Sequence, residues 1–216
     1  MSRFIDNCTG VILAGGENRR MPVLKAFIEV EGRKIIDRNI RVMKRVFEEI
    51  FIVTNQPELY VYLDACLLGD VYNIRGPMTG ILTSLMNASN DWIFVTACDM
   101  PFINEETIRY LARKRDGYDA VLPEKEPLFA FYSKRLLSSM EMAILSGKRE
   151  LKDFLTKKKV KYLSKEEIVG IGNGWRAFVN LNTPEDVNIY LRPQDALKFR
   201  KHHTRRRQCL DLEPQS

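Results

Sequence analysis

Residues 91–101 read DWIFVTACDMP. The apolar run through Trp92, Ile93, Phe94 and Val95 has no polar alternation, so it predicts a strand covered on both faces rather than one edge of an open sandwich. Pro101 has no N–H to give to a ladder, which stops strand pairing at about Asp99 and leaves that carboxylate at the carboxyl end of the strand. TGVILAG, residues 9–15, has the same construction and breaks at glycine. Two such strands call for a mainly parallel sheet with helices on both faces.

The segments around them supply those helices. IIDRNIRVMKRVF (35–47), GPMTGILTSLMNA (76–88) and NEETIRYLARK (104–114) have helical period, and EIFIVT (49–54) and YDAVLP (118–123) read as further strands. A helix is also expected near residues 57–68. PLFAFYS (127–133) follows YDAVLP so closely that it predicts a hairpin-like departure from parallel order. Helices over 134–145 and 150–158, a segment VKYLS, the glycine cluster GIGNG (170–174), a strand AFVNL (177–181) and a helix from Pro184 complete the pattern. The fold class is α/β, a doubly wound, mainly parallel sheet. Residues 1–192 are expected to form this domain and residues 193–216 a basic, mobile or peripheral tail.

Composition narrows the function. The chain has 216 residues and 45% hydrophobic content, enough for a sizeable core. It contains no apolar run long enough to span a bilayer and no secretory leader at residues 1–10, so cytoplasmic location is the expectation and a membrane is not. Four cysteines lack Cys-x-x-Cys spacing and the two histidines are adjacent, at 202 and 203, which disfavours structural zinc and suggests reduced, mostly buried thiols. The tail carries six basic residues against three acids, half of the net charge of +6. The body is therefore only mildly basic, which suits a phosphate-bearing ligand and argues against a general nucleic-acid surface.

In an open parallel sheet ligands bind beyond the carboxyl ends of the strands. After the first strand come Gly15 and Gly16, which let backbone N–H groups approach an anion, with Arg19, Arg20 and Lys25 supplying charge. This fits neither the P-loop nor the G-x-G-x-x-G fingerprint; a plain glycine turn with a solvated basic loop has equal weight for this stretch alone. Asp99 offers one hard oxygen donor at the crevice, as Mg²⁺ prefers, whereas capping of the next helix is already provided by Asn104, Glu105 and Glu106. Gly76 and Gly80 lie around a helix start, where close approach and negative charge are favoured, although Gly-Pro is also an ordinary turn.

Taken together, GVILAGG with RRM and Lys25, GPMTGIL, VTACDMPFI, PLFAFY and FVNLNTPED make the chain resemble the molybdenum cofactor guanylyltransferase family, in the family's order from Gly10 to Asp186. The resemblance implies a Rossmann-like, glycosyltransferase-A-like nucleotide-binding architecture and transfer of GMP from GTP to molybdopterin with Mg²⁺. It implies that Leu13, Ala14, Gly15 and Gly16 bind the nucleotide and that Lys25 meets its phosphates, with Arg20 among the catalytic cations. Asn55 and Asp70 fall where the family contacts guanine or ribose, Gly76 and Gly80 on the nucleotide side, and Asp99 at the metal. Asn180 and Asn182 match asparagines near the pterin side, although residues 183–186 also make a good helix start on purely architectural grounds. The family usually has glycine after RRM; Pro22 implies a stiffer loop here. Transient contact with cofactor-synthesis or molybdoenzyme clients goes with this expectation. The alternatives are a cytidylyltransferase of the same cofactor, another sugar- or small-phosphate nucleotidyltransferase, or a non-catalytic nucleotide- or nucleic-acid-binding protein.

Overall fold

The computed structural model of the chain describes residues 2–15, 24–172 and 174–191. Gly16, Arg19, Arg20, Pro22 and the basic tail lie outside the described residues.

The chain runs β1 (Cys8–Leu13), a one-turn 3₁₀ helix (Lys25–Phe27), β2 (Glu29–Val30), β3 (Arg33–Lys34), α1 (Ile35–Val46), β4 (Ile50–Val53), a 3₁₀ turn (Pro57–Leu59), β5 (Cys66–Leu68) and α2 (Pro77–Asn87). It continues with β6 (Trp92–Ala97), α3 (Glu105–Ala112), β7 (Ala120–Pro123), β8 (Phe129–Ser133), α4 (Leu137–Leu145), α5 (Leu151–Leu155), β9 (Val160–Leu163), α6 (Lys165–Val169), a 3₁₀ stretch (Gly174–Phe178) and α7 (Pro184–Tyr190). Seven strands form one sheet in the order β5-β4-β1-β6-β8-β7-β9, and β2 pairs β3 in a small separate hairpin. Every pairing in the large sheet is parallel except the two made by β8, which runs against both β6 and β7. The hairpin-like departure expected at PLFAFYS is this strand.

Both faces of the central strands are covered, as their unbroken apolar runs require. Alternate residues divide between two cores. Ile12, Ile52, Phe94 and Phe131 pack with Ile36, Ile40, Met43 and Phe47 of the α1 side. Val11, Val53, Val95 and Tyr132 pack with Ile81, Leu82, Met140 and Phe154 from α2, α4 and α5. A third, smaller core joins Ile28, Val30 and Ile35 to Phe102, Val179, Leu181 and Val187, and so fastens the β2–β3 hairpin to the segment before α7.

Gly10 shows why β1 tolerates glycine in mid-strand. A Cβ there would stand 2.6 Å from the Phe47 ring and 3.0 Å from Met43 Cε, so its absence lets α1 lie directly on the sheet.

Two expectations need correction. Residues 57–68 hold a single 3₁₀ turn and then edge strand β5 instead of a helix. Pro57 opens the turn, but the segment contributes few core-facing residues: Tyr60 is buried, whereas Val61 and Tyr62 are exposed, so no apolar stripe is present to hold a longer helix. Residues 177–181 form no strand; Ala177 and Phe178 complete a 3₁₀ turn, and the residues after them pack in the third core and pair with no strand among the described residues. The expected thiol burial holds for Cys8 but not for Cys66, which is exposed on β5; Cys8, Cys66 and Cys98 are all free.

Candidate active site

Parallel register places the ends of three strands abreast. Leu13 of β1 pairs with Val53 of β4 on one side and with Ala97 of β6 on the other. The residues that follow extend the ladder a step further: Ala14 N–H donates to Val53 O at 2.8 Å and Cys98 N–H to Leu13 O at 3.1 Å. The crevice lip is therefore built from Ala14 and Gly15, Thr54 and Asn55, and Cys98 and Asp99. Thr54 ties two of these loops together, accepting from Gln56 N–H at 3.1 Å and donating to Ala14 O at 3.4 Å. What Gly15 supplies is space: among the described residues nothing lies within 4 Å of where its Cβ would be.

At the centre of the crevice Lys25 Nζ donates to Asp99 Oδ2 at 3.0 Å and to Asn182 Oδ1 at 2.6 Å. Residues far apart in sequence thus meet at one ammonium. Each is held by its own element. Lys25 opens a 3₁₀ turn whose Ala26 is buried and whose Phe27 stacks on Tyr60 with ring centroids 5.5 Å apart. Lys34 Nζ stands 5.0 Å over that same Phe27 ring and 5.0 Å over Tyr62, closing the anchor from outside. Asp99 lies in the turn after β6, where its carbonyl accepts from Leu181 N–H at 3.0 Å. Arg38 of α1 braces the same turn, donating from Nε to Pro101 O at 3.4 Å and from Nη1 to Val30 O at 3.3 Å and Glu31 Oε2 at 3.1 Å. The capping role that competed for Asp99 belongs to Asn104, whose side chain accepts from Thr107 N–H at 2.9 Å.

The second carboxylate oxygen of Asp99, Oδ1, is buried and has no hydrogen-bond partner among the described residues. A buried carboxylate oxygen left unpaired is costly unless a cation or a donor completes it. Among the described residues no group of three or more His, Cys, Asp or Glu side chains converges. One hard oxygen donor without imidazole or thiolate company fits Mg²⁺, which fills most of its shell with water and phosphate, and does not fit zinc. Burial first, and the neighbouring Asp99 charge second, push the Cys98 thiol up to about 12, and a soft thiol is in any case a poor partner for Mg²⁺.

On the β4 side, Asn55 Nδ2 donates to Asp70 Oδ2 at 3.3 Å. Burial raises the Asp70 carboxyl above its ordinary range, and the Asn55 hydrogen bond opposes this. Gly80 is folded into the same corner, because a Cβ there would come within 2.9 Å of Leu13 Cδ2 and 3.8 Å of Asp70 Oδ1. Gly76 caps α2 with φ +140°, a torsion that side chains rarely adopt. On the β8 side, Asn180 Nδ2 donates to Glu126 Oε2 at 3.3 Å. Asn180 and Asn182 flank Leu181, which is fully buried, so the two carboxamides share the cleft side of an extended stretch. Thr183 and Asp186 form the capping box of α7 and hold that stretch in place from its far end.

The expected residues therefore fall into three neighbouring groups. Leu13, Asn55, Asp70 and Gly80 lie to one side, Lys25, Asp99 and Asn182 in the middle, and Asn180 beyond. Sequence reasoning missed Glu126 and Arg38. The signal for Glu126 was present: an acidic residue in the turn of a hairpin whose second strand reverses direction must sit at the same sheet edge as Asp99.

The chain and its fold have known relatives. Residues 10–162 match the model of the MobA-like NTP transferase domain. The molybdenum cofactor guanylyltransferase of Desulfosudis oleivorans is 36% identical over 189 residues, 85% of this chain and 94% of the relative. The probable molybdenum cofactor guanylyltransferase of Pelotomaculum thermopropionicum is 38% identical over 183 residues, 83% of this chain and 89% of its own. Among solved structures, molybdopterin-guanine dinucleotide biosynthesis protein A from Archaeoglobus fulgidus superposes with a TM-score of 0.76 at 26% identity, covering 85% of this chain and 96% of that one. A 4-diphosphocytidyl-2C-methyl-D-erythritol synthase from Anaerococcus prevotii shares the fold alone, with a TM-score of 0.62 at 17% identity and coverage of 86% and 97%. The strand ends that build the cleft lie within the matched span and the relatives cover nearly their whole length, so the chain belongs to the MobA-like NTP transferases and, among them, to the molybdenum cofactor guanylyltransferase family.

Proposed function

We propose that this protein transfers GMP from GTP to the phosphate of molybdopterin, forming the guanine dinucleotide cofactor and releasing pyrophosphate. The observation that carries this reading is the meeting of Lys25 and Asp99 between the carboxyl ends of β1 and β6, in a member of this family.

The chemistry asks little of a general base. A phosphate monoester has a second pKa of about 6, so at neutral pH the attacking oxygen is already largely ionised. A new bond forms between that oxygen and the α-phosphorus of GTP as the bridge to the β-phosphate breaks, and the electron pair leaves with pyrophosphate. What the protein must do is bring two anions together and hold them in line. Lys25 is the described cation best placed to do so. Its ammonium stands at the strand ends, steadied by Asn182, and can pass from Asp99 to a phosphate oxygen without leaving the crevice. Gly15, with no described neighbour within 4 Å of a Cβ position, would admit a phosphate against the backbone. Asn55, Asp70 and Gly80 would take the nucleoside, and Asn180 and Asn182 the acceptor side. Asp99 would hold Mg²⁺ through the oxygen that no described donor satisfies; when bound, the ion would neutralise phosphate charge that Lys25 cannot reach alone.

Pyrophosphate release measured with GTP or CTP, each with and without molybdopterin, tests this. Release that requires both GTP and molybdopterin is expected. A preference for CTP would reassign the nucleotide, and release independent of molybdopterin would overturn the acceptor.

A further inference from the structure

Glu126 poses a problem for a site that binds two phosphate-bearing substrates. A carboxylate beside them repels both, yet this one is locked in place from several directions. Its N–H donates to Pro123 O at 3.2 Å and its carbonyl accepts from Phe129 N–H at 3.2 Å. One residue before Phe129, Leu128 O accepts from Ala97 N–H at 3.1 Å, which ties the β7–β8 turn to the end of β6 two residues before Asp99. From beneath, the hydroxyl of the fully buried Tyr132 donates to Pro127 O at 2.5 Å. Asn180 holds the side chain, and its own carboxamide is tied back to Phe178 O at 3.3 Å. Phe178 in turn packs edge-on against Phe129, with ring centroids 5.0 Å apart.

Such placement is useful only if the carboxylate meets a donor. Glu126 Oε2 is taken by Asn180, whereas Oε1 has no hydrogen-bond partner among the described residues, and the turn that carries it stands at the same end of the sheet as Asp99. The same device stands at the other end of the crevice, where Asn55 holds Asp70 at the same 3.3 Å. In both, burial is the main influence that raises the carboxyl above its ordinary range and an asparagine opposes it; at Glu126 Lys152 also opposes and Asp99 adds to the rise. Between the two pairs lie the steps β5 to β4 to β1 to β6 to β8, four strand spacings or roughly 19 Å, with Lys25 and Asp99 at the middle. One pair can therefore serve the nucleotide while the other lies beyond the reacting phosphates, on the acceptor's side.

We propose that Glu126 is a specificity-determining residue for the acceptor: oriented by Asn180, its carboxylate accepts hydrogen bonds from adjacent ring N–H and amino donors of the acceptor's heterocycle, the 2-amino-4-oxopyrimidine edge that a pterin presents. The inference rests on the proposed guanylyl transfer and deepens it. Because guanine carries the same edge, the two asparagine-held carboxylates read the same chemical pattern on two different substrates, separated by the width of the sheet. An acceptor lacking that pair of donors would leave Glu126 Oε1 desolvated and without a donor, a stronger basis for rejection than shape alone. Asn180 is then a positioning residue.

The test uses Glu126→Gln in the full chain, with GTP saturating and molybdopterin varied, alongside GTP binding and Mn²⁺ binding followed by paramagnetic resonance. Gln keeps the size and the Asn180 contact but replaces one acceptor by a donor. The expected result is a rise of about tenfold to hundredfold in KM for molybdopterin, with GTP and Mn²⁺ affinities unchanged and the melting temperature not lowered. Unchanged KM for molybdopterin, an equal loss of GTP affinity, or a loss of Mn²⁺ binding like that of Asp99→Ala would each overturn it. If the wild type itself transfers no GMP to molybdopterin, the parent reading fails and this one with it; transfer by the wild type with an unaltered variant sinks this one alone. Asn180→Ala provides a second variant should Glu126→Gln fold poorly: a KM increase for molybdopterin at unchanged GTP affinity is expected, and an unchanged KM overturns the proposal.

Discussion

At the scale of single residues, the proposed reaction would divide the work of an anion-binding site between Asp99 and Lys25. Asp99→Ala removes the one oxygen offered to a metal, so turnover should be abolished and Mn²⁺ binding lost together. Lys25→Ala removes one preorganised positive donor and should lower the rate by about a hundredfold or more while Mn²⁺ still binds, since Asp99 Oδ1 is independent of the lysine. Retained turnover in Asp99→Ala would refute this division. Asp70 yields a pH prediction. Burial raises its carboxyl above the ordinary 3.8, so the folded chain holds the proton more tightly than the unfolded one. Below that ordinary value both states are neutral and nothing is lost. As pH rises the unfolded chain ionises first, and the fold loses stability until the raised value is passed, after which the deficit is constant. Asp70→Asn should therefore raise the melting temperature of the ligand-free protein at pH 7, with the gain vanishing on acidification below the ordinary Asp value. A gain that persists there would mean that packing, not charge, is responsible.

At the scale of elements, close approach between layers decides which substitutions are tolerated. Gly10→Ala drives a methyl into the Phe47 ring, itself stacked on Phe94 at 5.6 Å and fully enclosed, so neither partner can yield. Overpacking of this kind should cost about 1–3 kcal/mol, read as a lower urea midpoint with an unchanged slope. The 3₁₀ turn carrying Lys25 is too short to hold itself and depends on Phe27. Phe27→Ala loses the Tyr60 stack and the Lys34 contact, and a misplaced ammonium should reduce kcat by about tenfold or more. Normal kcat in that variant would show that the turn is held by Ala26 and its backbone alone.

At the scale of the whole molecule, the site is a consequence of the strand order. β1 lies between β4 and β6, and the reversal of β8 returns the β7–β8 turn to the edge where the parallel strands end. A nucleotide lying from Asp70 to Asp99 would span β5, β4, β1 and β6, so binding should stabilise the sheet as a unit: at a hundred times the dissociation constant, GTP should add about 2.7 kcal/mol. A GTP-dependent melting shift that is lost in Asp70→Asn but retained in Glu126→Gln would locate the base on the β4 side. The sequence by itself determined the class of fold, the doubly covered strands, the odd direction of PLFAFYS and the carboxylate after the central strand, because apolar run length, proline and turn residues act locally. It misassigned residues 57–68 and 177–181, where an edge strand and an extended, unpaired stretch owe their form to neighbours that no local pattern encodes. Only the tertiary structure decided that Asn182 would meet Lys25, that Asp99 would keep one oxygen without a partner among the described residues, and that Glu126 would pair with Asn180. Each depends on register between strands and on a third core built from distant segments, and a contact between residues far apart in the chain exists only once the sheet has set the distances.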